Sequence, residues 1–122
     1  MNRVAIYGGT FDPVHLGHLV PAVRAQETFH FERLVFIPAG RPPHKQGEPL
    51  TSFSHRFAML ALATAPYDRF EVSDIELDGH GPSYTVDTVQ AFLARQEVER
   101  LYVVMGSDSF AQISTWHRWE EL

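Results

Sequence analysis

The chain is expected to fold as an α/β domain, a Rossmann-like open parallel sheet with helices on both faces. Three observations lead there. Short runs such as Val4-Ala5-Ile6-Tyr7 and Leu34-Val35-Phe36-Ile37 are continuously apolar, as strands covered on both faces are. Segments with apolar residues three and four apart stand between such runs, and that alternation means β-α-β units. The glycine- and histidine-bearing segments follow the ends of the runs, where sheets of this kind hold ligands.

Taken in order, Arg3–Tyr7 is the first strand. A helix runs from His15 to about Phe29, with Val20, Val23 and Ala25 among its apolar positions. Pro21 is awkward inside it: either it kinks the helix or it falls late in a modified first turn. Arg33–Pro38 is the second strand. Ala39–Thr51 is a Pro/Gly-rich loop longer than a simple connection needs, and such loops tend to be functional. Ser52–Ala65 reads as a helix, since Phe53, Phe57, Leu60 and Ala61 repeat at three and four and Pro66 follows. Phe70–Ser73 is the third strand, its alternation continued by Ile75 and Leu77, and residues 78–82 form a turn-rich loop. Ser83 or Tyr84 opens a helix carrying Val86, Val89, Phe92 and Leu93. Leu101–Met105 is the fourth strand, ending at Gly106-Ser107-Asp108; a helical piece starts near Asp108 and another near Trp116.

With 122 residues the chain is one domain, 1–122, large enough for a core of several strands and helices. A hydrophobic share of 44% and a charged share of 20% are those of a globular protein in water. No apolar run approaches the ~20 residues of a membrane span, and no signal peptide is visible. There are no cysteines, which excludes disulfides and thiolate chemistry and fits the cytoplasm. A formal net charge of −5 argues against a nucleic-acid surface. It also means that an anion must be held by local donors. The single lysine, Lys45, stands in Arg41-Pro42-Pro43-His44-Lys45, a small basic cluster in the long loop.

The informative stretch is Gly8-Gly9-Thr10-Phe11-Asp12-Pro13-Val14-His15-Leu16-Gly17-His18. A strand, a glycine turn and a helix start aim unpaired backbone N–H groups and the helix dipole at one point. His15 and His18, three apart, share the face of the first turn beside it. Two imidazoles there can donate to phosphate oxygens. The segment is not a P-loop, lacking Gly-Lys-Ser/Thr, and its glycines are wrongly spaced for the dinucleotide fingerprint. A zinc site would need third and fourth ligands, for which only scattered His, Asp and Glu are available; no metal-ligating residue is expected. Asp12-Pro13 also reads as ordinary turn chemistry.

This segment resembles the nucleotidyltransferases with a His-x-Gly-His signature. Further segments narrow the resemblance: Pro38-Ala39-Gly40-Arg41-Pro42-Pro43-His44-Lys45, Ser54-His55-Arg56 with Met59-Leu60, Pro82-Ser83-Tyr84-Thr85, and Gly106-Ser107-Asp108-Ser109-Phe110 followed by Thr115-Trp116-His117. Together they look like the bacterial nicotinate-nucleotide adenylyltransferases of NAD biosynthesis, over essentially the whole chain. The resemblance implies adenylyl transfer from ATP to nicotinate mononucleotide. Gly8, Gly9, Thr10 and Phe11 would approach the triphosphate by their backbone, and His15 and His18 would contact its phosphates, His18 stabilising the transferring one. Gly106 and Asp108 would contact the adenosine half, although Asp108 could equally cap the helix after it. Lys45 and His44 would hold the acceptor's phosphate; a lone loop lysine is otherwise a solvated surface residue. Backbone N–H groups at Tyr84 and Thr85 would meet the nicotinate carboxylate, where Thr85 or Ser83 could also be a plain N-cap. Trp116 would stack on the pyridine, with His117 nearby, or else be a core tryptophan. Arg56 either fixes the long loop, reaches substrate, or snorkels to the surface.

The implied mechanism is one in-line displacement without a nucleophilic side chain, with Mg²⁺ carried by ATP. The resemblance also implies a further strand and an Ile-Ser-x-Thr/Ser-like segment beyond Leu122. Nothing here matches them, so a C-terminally truncated chain is expected, with an open sheet edge through which it could form a homo-oligomer. The rival readings are a superfamily enzyme acting on phosphopantetheine or nicotinamide mononucleotide, and an inactive substrate-binding fragment.

Overall fold

A computed structural model describes residues 3–40, 49–77, 85–95 and 100–122. Strands and helices alternate as the sequence predicts: β1 (Arg3–Gly9), α1 (Leu16–Phe29), β2 (Arg33–Pro38), α2 (Phe53–Thr64), β3 (Phe70–Val72), α3 (Thr85–Arg95), β4 (Arg100–Val104) and α4 (Ser107–Ala111), followed by 3₁₀ turns at Ile113–Thr115 and Trp119–Glu121. The sheet has four parallel strands in the order β3-β2-β1-β4. The chain steps outward from β1 to β3 and then returns to lay β4 on the other side of β1. Strand order therefore reverses between β1 and β4, which is where such sheets open a crevice at their carboxyl ends.

Alternation of side chains along each strand divides the core in two. Ala5, Tyr7, Leu34 and Phe36 join Ala22 of α1 and Leu60 of α2 on one face. Val4, Ile6, Val35 and Ile37 meet Phe92 of α3 on the other. Both faces are covered, which explains why these strands are apolar without a break. Phe36 is the hub of the first face, with its ring centroid 5.5 Å from Tyr7, 5.7 Å from Phe11 and 5.3 Å from Phe70.

Several details depart from expectation. β1 runs on through Gly8 and Gly9, which pair with Ile37 and Pro38. In α1 the sheet-facing positions are Leu19, Ala22, Val23 and Gln26, and Val20 is exposed. Of the apolar positions expected in α1, Val23 and Ala25 pack against the core and Val20 does not. Pro21 lies inside the helix without ending it. The buried stripe of α2 is Arg56, Leu60 and Thr64, whereas Ala61 is exposed. β3 stops at Val72: residues 74–77 turn, with Leu77 N–H donating to the Asp74 carbonyl, so Ile75 packs on the α3 side and Leu77 is exposed. The helix expected near Trp116 is instead a pair of 3₁₀ turns. Arg118, at φ 52°, interrupts helical dihedrals between them. Among the described residues no helix is long and apolar enough to cross a membrane.

Replacing Phe36, which is fully buried, by alanine should lower unfolding stability by about 3–5 kcal/mol. Chemical denaturation of the variant beside the parent chain measures it.

Candidate active site

His15 is the N-cap of α1, with extended backbone. Its Nδ1 accepts the Gly17 N–H at 3.0 Å, and its own N–H donates to His18 Nδ1 at 3.1 Å. This is a capping box built from imidazoles rather than hydroxyl and carboxylate. An Nδ1 that accepts a backbone N–H carries no proton, so each neutral ring bears its proton on Nε2. The rings lie 4.0 Å apart by centroid. The box thus fixes the tautomer of both histidines and sets two Nε2–H donors side by side at a helix N-terminus.

His18 is half-buried, edge-on to Phe11 at 4.9 Å and to Tyr7 at 6.4 Å. Burial first, and the neighbouring His15 second, hold its pKa below the usual imidazole value. Phe11 has its side chain in the core and its backbone at φ 51°, so only its main chain can serve a ligand. Gly9 permits that arrangement, because a Cβ there would stand 3.2 Å from the Phe11 ring. Gly17 is required more strictly: a Cβ would lie 2.8 Å from His15 Cε1 and 2.9 Å from Nδ1. The glycine between the histidines is what lets the His15 ring fold back onto the helix. Sequence reading gave Gly17 no role of its own, although its place inside His-x-Gly-His was the signal.

Gly106 follows β4 as the N-cap of α4. It sits across the switch point from Gly8 and Gly9, since Val104 pairs with Tyr7. A Cβ at Gly106 would meet nothing within 4 Å, so packing of the chain does not itself demand glycine there. Asp108 belongs to α4, but its side chain lies outside what is described, as do His44, Lys45 and Tyr84 entirely. Thr85 is the first residue of α3. Arg118 donates to Asp87, in the first turn of α3, at 3.3 Å and is gripped by Glu121. That link, which sequence reading missed, ties Arg118 to the first turn of the helix that Thr85 opens. Trp116 is half-buried and His117 exposed. Among the described residues no three His, Asp, Glu or Cys side chains gather to hold a metal ion.

Two outcomes follow from the imidazole box. With its pKa depressed, folded His18 binds fewer protons than in the unfolded chain, so its contribution is complete above about pH 6.5 and lost as pH falls below that. Melting temperature should therefore drop between pH 7.5 and 5.5, and His18→Gln, which keeps a capping side chain without titrating, should flatten that slope. Gly17→Ala should leave melting nearly unchanged, because a helix alanine gains about 1 kcal/mol while loss of the cap costs about 1 kcal/mol. The same variant should weaken binding of a phosphate ligand by displacing His15, as titration calorimetry with ATP would show.

The sequence matches the cytidylyltransferase-like family over residues 6–122. It is 48% identical, over all 122 residues, to a probable nicotinate-nucleotide adenylyltransferase of Symbiobacterium thermophilum, covering 59% of that protein. A probable enzyme of the same name from Moorella thermoacetica is 49% identical over 116 residues, 94% of this chain and 54% of the relative. The chain thus spans somewhat more than half the length of these relatives. Among solved structures, Plasmodium falciparum nicotinic acid mononucleotide adenylyltransferase complexed with NaAD has the same fold. Its TM-score is 0.83 at 20% identity, covering 99% of this chain and 60% of that one. With a family match that takes in both the imidazole capping box and the segment after β4, the chain belongs to the cytidylyltransferase-like family of nucleotidyltransferases.

Proposed function

We propose that the protein acts in adenylyl transfer from ATP to nicotinate mononucleotide, giving nicotinate adenine dinucleotide and pyrophosphate. The observation that carries this reading is the imidazole capping box, with two Nε2–H donors at the helix N-terminus beside the β1–β4 switch point. The names of the relatives at 48% and 49% identity supply the acceptor. An oxygen of the mononucleotide phosphate attacks the α-phosphorus of ATP, and the bond from that phosphorus to the departing pyrophosphate oxygen breaks. No side chain forms a covalent bond. His15 and His18 donate to phosphate oxygens as negative charge moves onto the leaving group, and backbone N–H groups of Gly8, Gly9, Thr10 and Phe11 add to them. Mg²⁺ carried with ATP would neutralise phosphate charge, with no carboxylate cage of the chain required to hold it.

On the adenosine side, Gly106 offers open space and Asp108 a carboxylate for ribose hydroxyls. On the acceptor side, Lys45 and His44 take the phosphate, the N–H groups at Tyr84 and Thr85 take the nicotinate carboxylate, and Trp116 stacks on the ring with His117 alongside. Self-association through the β4 edge belongs to the same proposal.

Calorimetric titration of the 122-residue chain with nicotinate mononucleotide, nicotinamide mononucleotide and ATP, with adenylyl transfer assayed alongside, tests the reading. Binding of the acid form in preference to the amide supports it. Binding of neither mononucleotide would sink the acceptor pocket at Thr85 and Trp116. Where transfer is measurable, His18→Ala should slow it by roughly 10²–10³ while leaving mononucleotide affinity within about threefold, because His18 meets the transferring phosphate rather than the acceptor.

A further inference from the structure

We propose that Arg56 is a positioning residue whose single buried guanidinium sets the backbone at the carboxyl ends of both β1 and β2. Arg56 is 1% exposed, in the buried stripe of α2. Its Nη1 donates to the carbonyls of Thr10, just past β1, at 3.1 Å, and of Ala39, just past β2, at 2.6 Å. Its Nε donates to the Thr51 carbonyl at 2.8 Å, and its planar group lies 5.5 Å from the Phe53 ring centroid.

Two carboxylates hold the opposite ends of the same backbone. Glu76 Oε1 accepts the Gly40 N–H at 3.1 Å, so the Ala39–Gly40 peptide is gripped by Arg56 at its oxygen and by Glu76 at its nitrogen. Asp12 Oδ2 accepts the Thr51 N–H at 3.0 Å, so Thr51 is held at its N–H and its carbonyl alike. Glu76 is in turn fixed by the Thr88 hydroxyl of α3 at 2.6 Å, and Ala39 N–H reaches the Gly9 carbonyl at 2.8 Å.

A trans peptide is planar, with its C=O and N–H pointing oppositely. Anchoring the Thr10 carbonyl on Arg56 therefore turns the Phe11 N–H away from the buried cation, as the proposed phosphate contact needs. Reaching three carbonyls in different directions takes the rigid fork of arginine. A lysine keeps the charge and the apolar stem but offers one nitrogen. What these strand ends bind rests on the proposed function; the clamp itself does not.

The experiment is amide hydrogen exchange on the ligand-free 122-residue chain and its Arg56→Lys variant, with Arg56→Gln as a second variant that keeps a neutral donor. Nicotinate mononucleotide and ATP titrations accompany it. Exchange at Gly40 and Thr51 should quicken about tenfold, the worth of one net hydrogen bond, while the strand amides of Ile6 and Val35 stay within about twofold. Affinity for the nucleotides should fall about tenfold, and the melting temperature should fall by several degrees while unfolding stays cooperative. Unchanged protection at Gly40 and Thr51 would overturn the proposal, and so would uniform loosening or unfolding of the sheet in both variants. A parent chain that binds neither nucleotide, yet shows the local exchange change in its variants, would overturn the functional reading and leave the clamp standing.

Discussion

A parallel strand that ends at a ligand crevice leaves backbone groups that no ladder can satisfy, and here those groups are divided between the protein and the crevice. A buried polar group without a partner costs free energy. Carbonyls at the ends of β1 and β2 point inward and are taken up by Arg56. At the start of α1, the His15 and Gly17 amides are taken up by imidazole Nδ1 atoms. That leaves the Nε2–H of the two histidines as donors beside the helix N-terminus. These donors and the positive end of the α1 dipole stand together in a chain whose formal net charge is −5. The proposed anion binding depends on the direction of dipoles and not on the overall charge, as the sequence balance requires.

The fold class was legible because its cause is local. Strands covered on both faces must be apolar throughout, and that survives in Val4–Tyr7 and Leu34–Ile37 without any knowledge of contacts. The histidine pair was legible for the same reason, since three-residue spacing places both rings on one turn. The exposure of Val20 was not, because Val20 sits at helical spacing from Val23 and only the sheet decides which of the apolar positions it covers. Ile75 misled by continuing an alternation that a turn had already ended. Arg56 left three readings open: an arginine in an apolar helix stripe has the same spacing whether it snorkels or is buried. Only the tertiary arrangement, which brings the Thr10, Ala39 and Thr51 carbonyls to one point, distinguishes them.

The two sides of the site are held by different physics. Around β1 and β2 the restraints are buried hydrogen bonds between a cation and main-chain carbonyls, which salt screens little. Around α3 and the C-terminal segment, the visible link is the pair between Arg118 and Asp87, whose side chains are 42% and 52% exposed. Exposed pairs of this kind are screened by salt and hold weakly. The same holds for the contact between Arg118 and Glu121, three residues apart on the surface. The Trp116–Arg118 segment therefore carries less intrinsic restraint than the turn after β1, and an aromatic ligand seated there would supply ordering contacts that the chain itself does not.

That asymmetry follows from topology. The turn after β1 follows a strand paired on both sides and contributes the Phe11 ring to the aromatic cluster with Tyr7 and Phe36. Beyond β4 the sheet ends among the described residues, and the chain continues as short turns whose apolar side chains, Phe110 and Leu122 among them, are exposed. Among the described residues the site is held by buried hydrogen bonds around β1 and β2 and by exposed ion pairs beyond β4. In the proposed function the phosphate contacts, which need donors held in place before substrate arrives, fall on the more tightly bonded side of that division. The proposed ring stacking, which tolerates adjustment by the ligand, falls on the other.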